Sequence, residues 1–173
     1  MIVAGVLLTA AVGSGQVFIS GLGLLFIGAV GGFWVWNFPP ARIFMGDCGS
    51  LVIGFFVALL SLRTTYYHQH DSGGLYAVFM PLLALAVPLY DFVSVTFLRI
   101  RQGKSPLVGD TQHFSHRLRK RGLTDTQTAL TLYLATLCTG LGAIFLRQVD
   151  SVGAILIFVQ TLMTLAIVAI LEM

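Results

Sequence analysis

Three polar groupings stand out against an apolar chain. The first surrounds Asp47, in Pro39-Pro40-Ala41-Arg42-Ile43-Phe44-Met45-Gly46-Asp47-Cys48-Gly49-Ser50. An aspartate at the centre of a membrane helix costs roughly 2.5–3.5 kcal/mol to insert. A carboxylate at the edge of an apolar run therefore needs a reason, and two are open. Asp47 could cap the helix of Leu51, accepting from its first free amides. It could instead be a metal or phosphate-transfer carboxylate, because a hard cation takes oxygen ligands and shares them with phosphates. Gly46 and Gly49 would let the backbone come close to a ligand, and helix N-terminal amides favour anions.

The second is Asp91, eight residues before Arg99 and so about 12 Å along a helix from it. Ionisable residues at that depth face a bundle interior or a wet cavity. A structural hydrogen bond between helices is the competing reading. The third is Asp110-Thr111-Gln112-His113-Phe114-Ser115-His116-Arg117-Leu118. If this piece is helical, His113 and His116 share a face. Without a nearby Cys or Glu they make a poor zinc site. With Arg117, Arg119, Lys120 and Arg121 beside them they suit a phosphate-rich ligand, or else they are incidental to a basic stop signal. His68 and His70 read as solvated loop residues.

The elements that must position these residues are membrane helices. The chain has 173 residues, 57% hydrophobic and 10% charged, with a mean hydropathy of +0.90. Average globular usage is roughly 25% charged. The first charged residue is Arg42, and charge-free runs also cover 72–90, 126–146 and 151–171. A spanning helix needs about 20 mostly apolar residues. A soluble domain, a disordered tail and a secreted disulfide scaffold are excluded. Cys48 and Cys138 form no metal motif or disulfide framework and are expected to be buried small residues.

Full spans are expected at Val17–Phe38, Ile43–Leu62, Leu75–Leu98, Thr128–Leu146 and Ser151–Leu171. Proline breaks the third, at Pro81 and Pro88. Met1–Ala11 is too short to span and lacks the basic start of a signal peptide. It reads as the last half of a span. The expected fold is an all-α polytopic bundle of about five full spans plus a partial N-terminal one, in a single membrane domain over residues 1–173. Trp34 and Trp36 suit the membrane interface at the end of their helix.

Seven of the ten Lys and Arg residues (Arg99, Arg101, Lys104, Arg117, Arg119, Lys120 and Arg121) fall in one loop, about 99–126. Short basic loops stay cytoplasmic. Alternation places Asn37–Ser50 on the same face and Arg63–Gly74 and Arg147–Asp150 outside.

Taken together, the motif from Pro40 to Ser50, Asp91 after Pro88-Leu89-Tyr90, and the stretch from Asp110 to Leu118 followed by Gly122 resemble a known family. It is that of the polyprenyl-phosphate N-acetylhexosamine-1-phosphate transferases, glycosyltransferase family 4. The order and spacing of all three match over most of the chain. The resemblance implies an enzyme of cell-wall or surface-polysaccharide synthesis in the bacterial cytoplasmic membrane, with its active face cytoplasmic. Sugar-1-phosphate passes from a UDP-N-acetylhexosamine to polyprenyl phosphate, giving a polyprenyl-diphosphate sugar and UMP with Mg2+ as cofactor. It implies Asp47 and Asp91 as catalytic residues, with Asp47 holding the metal. Arg42, Gly46, Gly49, Ser50, His113, His116 and Arg117 would bind substrate. The implied partners are the lipid, the UDP-sugar and the membrane, with no nucleic acid and room for a homodimer.

Two departures are visible. Ser115 stands where the family has a histidine, and nothing before Asp47 is acidic, whereas the family carries acidic motifs in earlier loops. The resemblance is therefore to the C-terminal half of the enzyme, and the chain is expected to be an incomplete catalytic unit. The competing function is a non-catalytic membrane module, such as a transporter or assembly subunit. Transport needs polar groups at several depths, whereas the polar groups here gather on one face.

Overall fold

The computed structural model describes residues 1–66, 74–103, 105 and 114–172. Eight α-helices are present among them: α1 Ile2–Gly13, α2 Val17–Asn37, α3 Gly46–Arg63, α4 Met80–Ala84, α5 Ala86–Arg101, α6 Phe114–Lys120, α7 Asp125–Phe145 and α8 Ser151–Glu172. A 3₁₀ turn, Leu75–Phe79, precedes α4. Helices α2, α3, α7 and α8 have 21, 18, 21 and 22 residues and are apolar enough to cross a membrane. At 1.5 Å per residue they run about 27–33 Å, matching a hydrocarbon core of about 30 Å. The all-α polytopic bundle is as expected.

The fifth span is a broken one. The segments Leu75–Ala84 and Ala86–Arg101 meet at 64°. Pro81 sits in the first turn of α4, where its missing amide costs nothing. Pro88 has no amide to offer the Ala84 carbonyl, so the ladder fails at Leu85.

The short α1 lies at the centre of the bundle. Ala4, Val6, Leu7, Ala10 and Ala11 are all buried, and α1 packs against α2, α3, α4 and α7. Its 12 residues reach only about 18 Å. The approach of α7 is close: a Cβ on Gly140 would lie 2.9 Å from Val6 Cγ2. Small residues let helices meet in this way where lipid removes the hydrophobic drive to associate. The outward faces are apolar and exposed, as at Leu25, Val35, Phe55, Leu62, Leu156 and Ile170, which is what lipid contact requires.

Hydrogen bonds between helices establish two opposite ends. At one, Gln16 Nε2 donates to the Arg63 carbonyl at 3.0 Å and the Ser14 hydroxyl to the Thr65 carbonyl at 2.8 Å. There too, Arg147 Nη1 donates to the Ala10 carbonyl at 3.1 Å, and the Tyr76 hydroxyl donates to the Val149 carbonyl. The other end collects the C-termini of α2, α5 and α8, the N-termini of α3 and α7, and α6. It carries Arg99, Arg101, Arg117, Arg119, Lys120 and Arg121 and is called the basic end below. This is the alternation expected of the spans.

Three expectations are corrected. The segment after Arg101 is not simply a polar loop. It contains α6, whose Leu118 is fully buried against Val87, Ala135 and Val168. Helix α7 begins at Asp125 rather than Thr128, because Thr124 and Gln127 form a reciprocal capping box. Cys48 and Cys138 are exposed rather than buried; in a bundle whose surface faces lipid, a small apolar side chain gains nothing by turning inward.

Candidate functional site at the basic end

The Asp47 grouping is built by the connection from α2 to α3. Helix α2 ends as the chain enters Phe38-Pro39-Pro40. The connection then folds back: Arg42 N–H donates to the Trp36 carbonyl at 2.8 Å, and Asn37 Nδ2 donates to the Ile43 carbonyl at 2.9 Å. Arg42 is exposed, its guanidinium 5.6 Å from the Trp36 ring centroid. Gly46 then opens α3 with φ of +63°, a conformation that costs an L-residue roughly 1–2 kcal/mol. Met45 lies over Gly49, where an added Cβ would meet its Cγ at 2.4 Å. Both glycines thus have a backbone or packing reason, independent of any ligand.

Asp47 is not the N-cap of α3. The cap position is Met45, with no side-chain hydrogen bond, and Asp47 lies in the first turn. The cap reading fails because α3 starts at Gly46, before the aspartate rather than after it. The carboxylate still complements the positive end of the helix dipole. It is exposed. Ser50 donates its hydroxyl to the Asp47 carbonyl at 3.0 Å, leaving the carboxylate untouched.

Beside Asp47 runs an apolar groove of about 820 Å³ between α2 and α3. Phe26, Val30, Phe33, Met45, Cys48 and Gly49 are among its walls. Met45, Cys48 and Gly49 line it and flank Asp47 in the chain, so the groove reaches the helix start that carries the carboxylate.

The second grouping is a polar cluster where α5, α6 and α8 meet. Arg117 Nη2 lies 2.8 Å from Glu172 Oε2 and 3.7 Å from Asp91 Oδ1. It donates to the Ser94 hydroxyl at 2.7 Å. Tyr90 donates its hydroxyl to Glu172 Oε1. The side chains of Arg117, Glu172 and Asp91 are only 14%, 12% and 24% exposed. Arg117 Nε and Nη1 are buried with no hydrogen-bond partner among the described residues. Asp91 thus touches Arg117 across helices, a contact compatible with either of its two readings.

His116 is half-buried on α6. His113, Asp110, His68 and His70 lie outside the described residues. Arg119 pairs with Asp125 at 2.7 Å, but both are more than half exposed, so the pair contributes little.

The expected site residues therefore fall into two sets at one end of the bundle. Arg42, Gly46, Asp47, Gly49 and Ser50 form one; Asp91, His116 and Arg117 belong to the other. Helix α3 packs on α1 and α2, whereas α5 packs on α4, α7 and α8. Glu172, Tyr90 and Ser94 were not anticipated. The signal for Glu172 was an acid at the end of an otherwise uncharged run, on the face richest in arginine.

These features define a helical membrane protein with a carboxylate beside an apolar trough and a buried arginine cluster at one end. Comparison with known proteins places it further. The model of glycosyl transferase family 4 matches residues 1–65. A probable undecaprenyl-phosphate N-acetylglucosaminyl 1-phosphate transferase of Bacillus subtilis is 35% identical over 138 residues, covering 80% of this chain and 37% of the relative. The undecaprenyl-phosphate alpha-N-acetylglucosaminyl 1-phosphate transferase of Haemophilus influenzae is 33% identical over 105 residues, 60% of this chain and 28% of its own length. The Escherichia coli K12 protein of the same description is 36% identical over 94 residues, 54% of this chain and 24% of its own length. No solved structure matches. The chain belongs to glycosyl transferase family 4, and it spans little more than a third of the length of the Bacillus relative and less of the other two.

Proposed function

We propose that this chain contributes to a phosphoglycosyl transferase that moves N-acetylhexosamine-1-phosphate from a UDP-sugar to polyprenyl phosphate. A phosphate oxygen of the lipid attacks the sugar-side phosphorus of the UDP-sugar. The bond from that phosphorus to the bridging oxygen breaks, and UMP leaves. The product is a polyprenyl-diphosphate sugar. The relatives named for transfer to undecaprenyl phosphate support this reading.

The observation that carries it is Asp47, an exposed carboxylate in the first turn of α3, beside an apolar groove between two spanning helices. Such a place suits a molecule with an apolar tail and an anionic head: the isoprenoid chain lies in the trough and the phosphate reaches the helix start. Phosphoryl transfer depends mainly on positioning and on neutralising charge. Asp47 fits Mg2+, which is commonly held by one or two carboxylates, with water and substrate phosphates completing its shell. Among the described residues no group of three His, Cys, Asp or Glu converges, so phosphate oxygens would supply most ligands. When bound, the ion neutralises the diphosphate.

This chain's own residues do the rest. The amides at the start of α3 face the anionic headgroup. His116 and His113 hold the nucleotide phosphates, and Arg117 adds positive charge behind them. Asp91, 3.7 Å from Arg117 Nη2, is the second catalytic acid at this end. The basic end faces the cytoplasm of a bacterium, in its inner membrane, by the rule that short basic loops stay inside.

The alternative, a transporter or assembly module, is disfavoured because Asp47, Asp91, His116 and Arg117 all belong to one end. The test is UMP release from UDP-N-acetylhexosamines by membranes bearing a chimera in which this chain replaces the matching stretch of the Bacillus relative. Release that depends on polyprenyl phosphate is expected. Its absence, with the unaltered relative active, would overturn the reading.

A further inference from the structure

We infer that Glu172 is a positioning residue: by holding Arg117 against α5 it fixes the rotation of α6, and with it the direction of His116. The catalytic part of this inference rests on the proposed transfer reaction; the mechanical part does not.

Helix α6 has seven residues, too few to be stable alone in water. Two consecutive side chains anchor it to the bundle. Leu118 is fully buried among Val87, Ala135 and Val168, which fixes depth. Apolar contacts alone leave a short helix free to roll. Arg117 supplies the second anchor, directional through its hydrogen bond to the Ser94 hydroxyl and held by a close charge contact with Glu172. Its Nη2 reaches Glu172 at 2.8 Å on α8 and Ser94 at 2.7 Å on α5, so three helices meet at one nitrogen. Successive residues on a helix point about 100° apart, so pinning 117 and 118 leaves the side chain at 116 one heading.

Glu172 is the dominant anionic partner. Asp91 stands farther off, at 3.7 Å, and is more exposed. Glu172 is itself steadied by the Tyr90 hydroxyl on α5. Among the described residues, the Arg117 guanidinium meets the carboxylates of both Glu172 and Asp91. Removing Glu172's charge leaves, among the described residues, the Asp91 carboxylate at 3.7 Å from Arg117 Nη2, too long for a hydrogen bond.

The test uses the full chain in lipid nanodiscs, with Glu172→Gln, Glu172→Asp and Tyr90→Phe variants. Two readouts need no activity: trypsin cleavage after Arg119, Lys120 and Arg121, and the rate at which diethyl pyrocarbonate modifies His116, followed by peptide mass spectrometry. For Glu172→Gln both are expected to rise on the order of tenfold, because one partner of a buried charge pair is gone while Asp91 remains. Glu172→Asp should restore most of the protection, and Tyr90→Phe should loosen it slightly. In the chimeric transferase, Glu172→Gln should lower kcat by about 10²-fold, the cost of a 1 Å misplacement, with a smaller change in KM. Unchanged cleavage and modification in Glu172→Gln would overturn the inference. If that variant fails to insert, unchanged rates in Tyr90→Phe would do so. Faster cleavage in a chimera that transfers no sugar even when otherwise unaltered would uphold the anchor and reject the transfer reaction instead.

Discussion

Trp34 Nε1 donates to the Tyr133 hydroxyl at 3.0 Å, tying the last turns of α2 to the first half of α7 across the basic end. The connection that carries Arg42 and leads to Asp47 hangs from this end of α2. The two rings also meet at 6.5 Å between centroids, within the range of favourable aromatic pairs.

Tyr133→Phe keeps the ring contact and removes the acceptor. The loss should be about 0.5–1.5 kcal/mol, the net worth of one hydrogen bond. Thermal unfolding in detergent measures it, and tryptophan fluorescence should report a more mobile Trp34. A midpoint identical to that of the unaltered protein would show that the bond does not hold α2.

Gly46→Ala forces an L-residue into φ of +63°. The expected cost is about 1–2 kcal/mol, with nothing else near: no atom lies within 4 Å of an added Cβ. Because Asp47 follows directly, metal-dependent transfer in the chimera should fall more than stability does. Equal stability to the parent would mean that α3 can start elsewhere.

Thr124→Ala breaks the capping box of α7, in which the Thr124 side chain accepts from Gln127 N–H and Gln127 accepts from Thr124 N–H. Loss of an N-cap costs about 0.5–2 kcal/mol. Hydrogen exchange should quicken in the first turn of α7 and leave α8 unchanged. Uniform quickening through the bundle would place the effect elsewhere.

The spans were legible because each rests on a long charge-free run, and the run alone decides between membrane and water. Pro81 and Pro88 announced the broken span for the same reason: a missing amide acts locally. The alternation was legible from the arginines, and the pairings of Gln16 with Arg63 and of Arg147 with Ala10 agree with it. The start of α3 was not legible. Asp47 has the residue type of a cap, but a glycine with positive φ moved the helix start ahead of it. Helix α6 stood only as a condition on the facing of His113 and His116, because so short a helix shows no periodicity. Its hold on the bundle comes from Leu118 and from the contacts of Arg117 with Ser94 and Glu172, and no local pattern predicts a long-range ion pair. The Thr124 to Gln127 spacing did carry a capping signal, masked by the apolar run that begins just after it.

The most direct measurement is sugar-phosphate transfer from UDP-N-acetylglucosamine to polyprenyl phosphate by the chimeric transferase, with and without Asp47→Asn. Asparagine keeps the size of the side chain and gives up its charge. The loss of a first-turn charge costs the helix only about 0.3–1 kcal/mol, so insertion and folding should survive. If Asp47 holds the ion and the headgroup, transfer disappears while the protein stays in the membrane at parental levels. Transfer near the parental rate in Asp47→Asn would contradict a site built on that carboxylate.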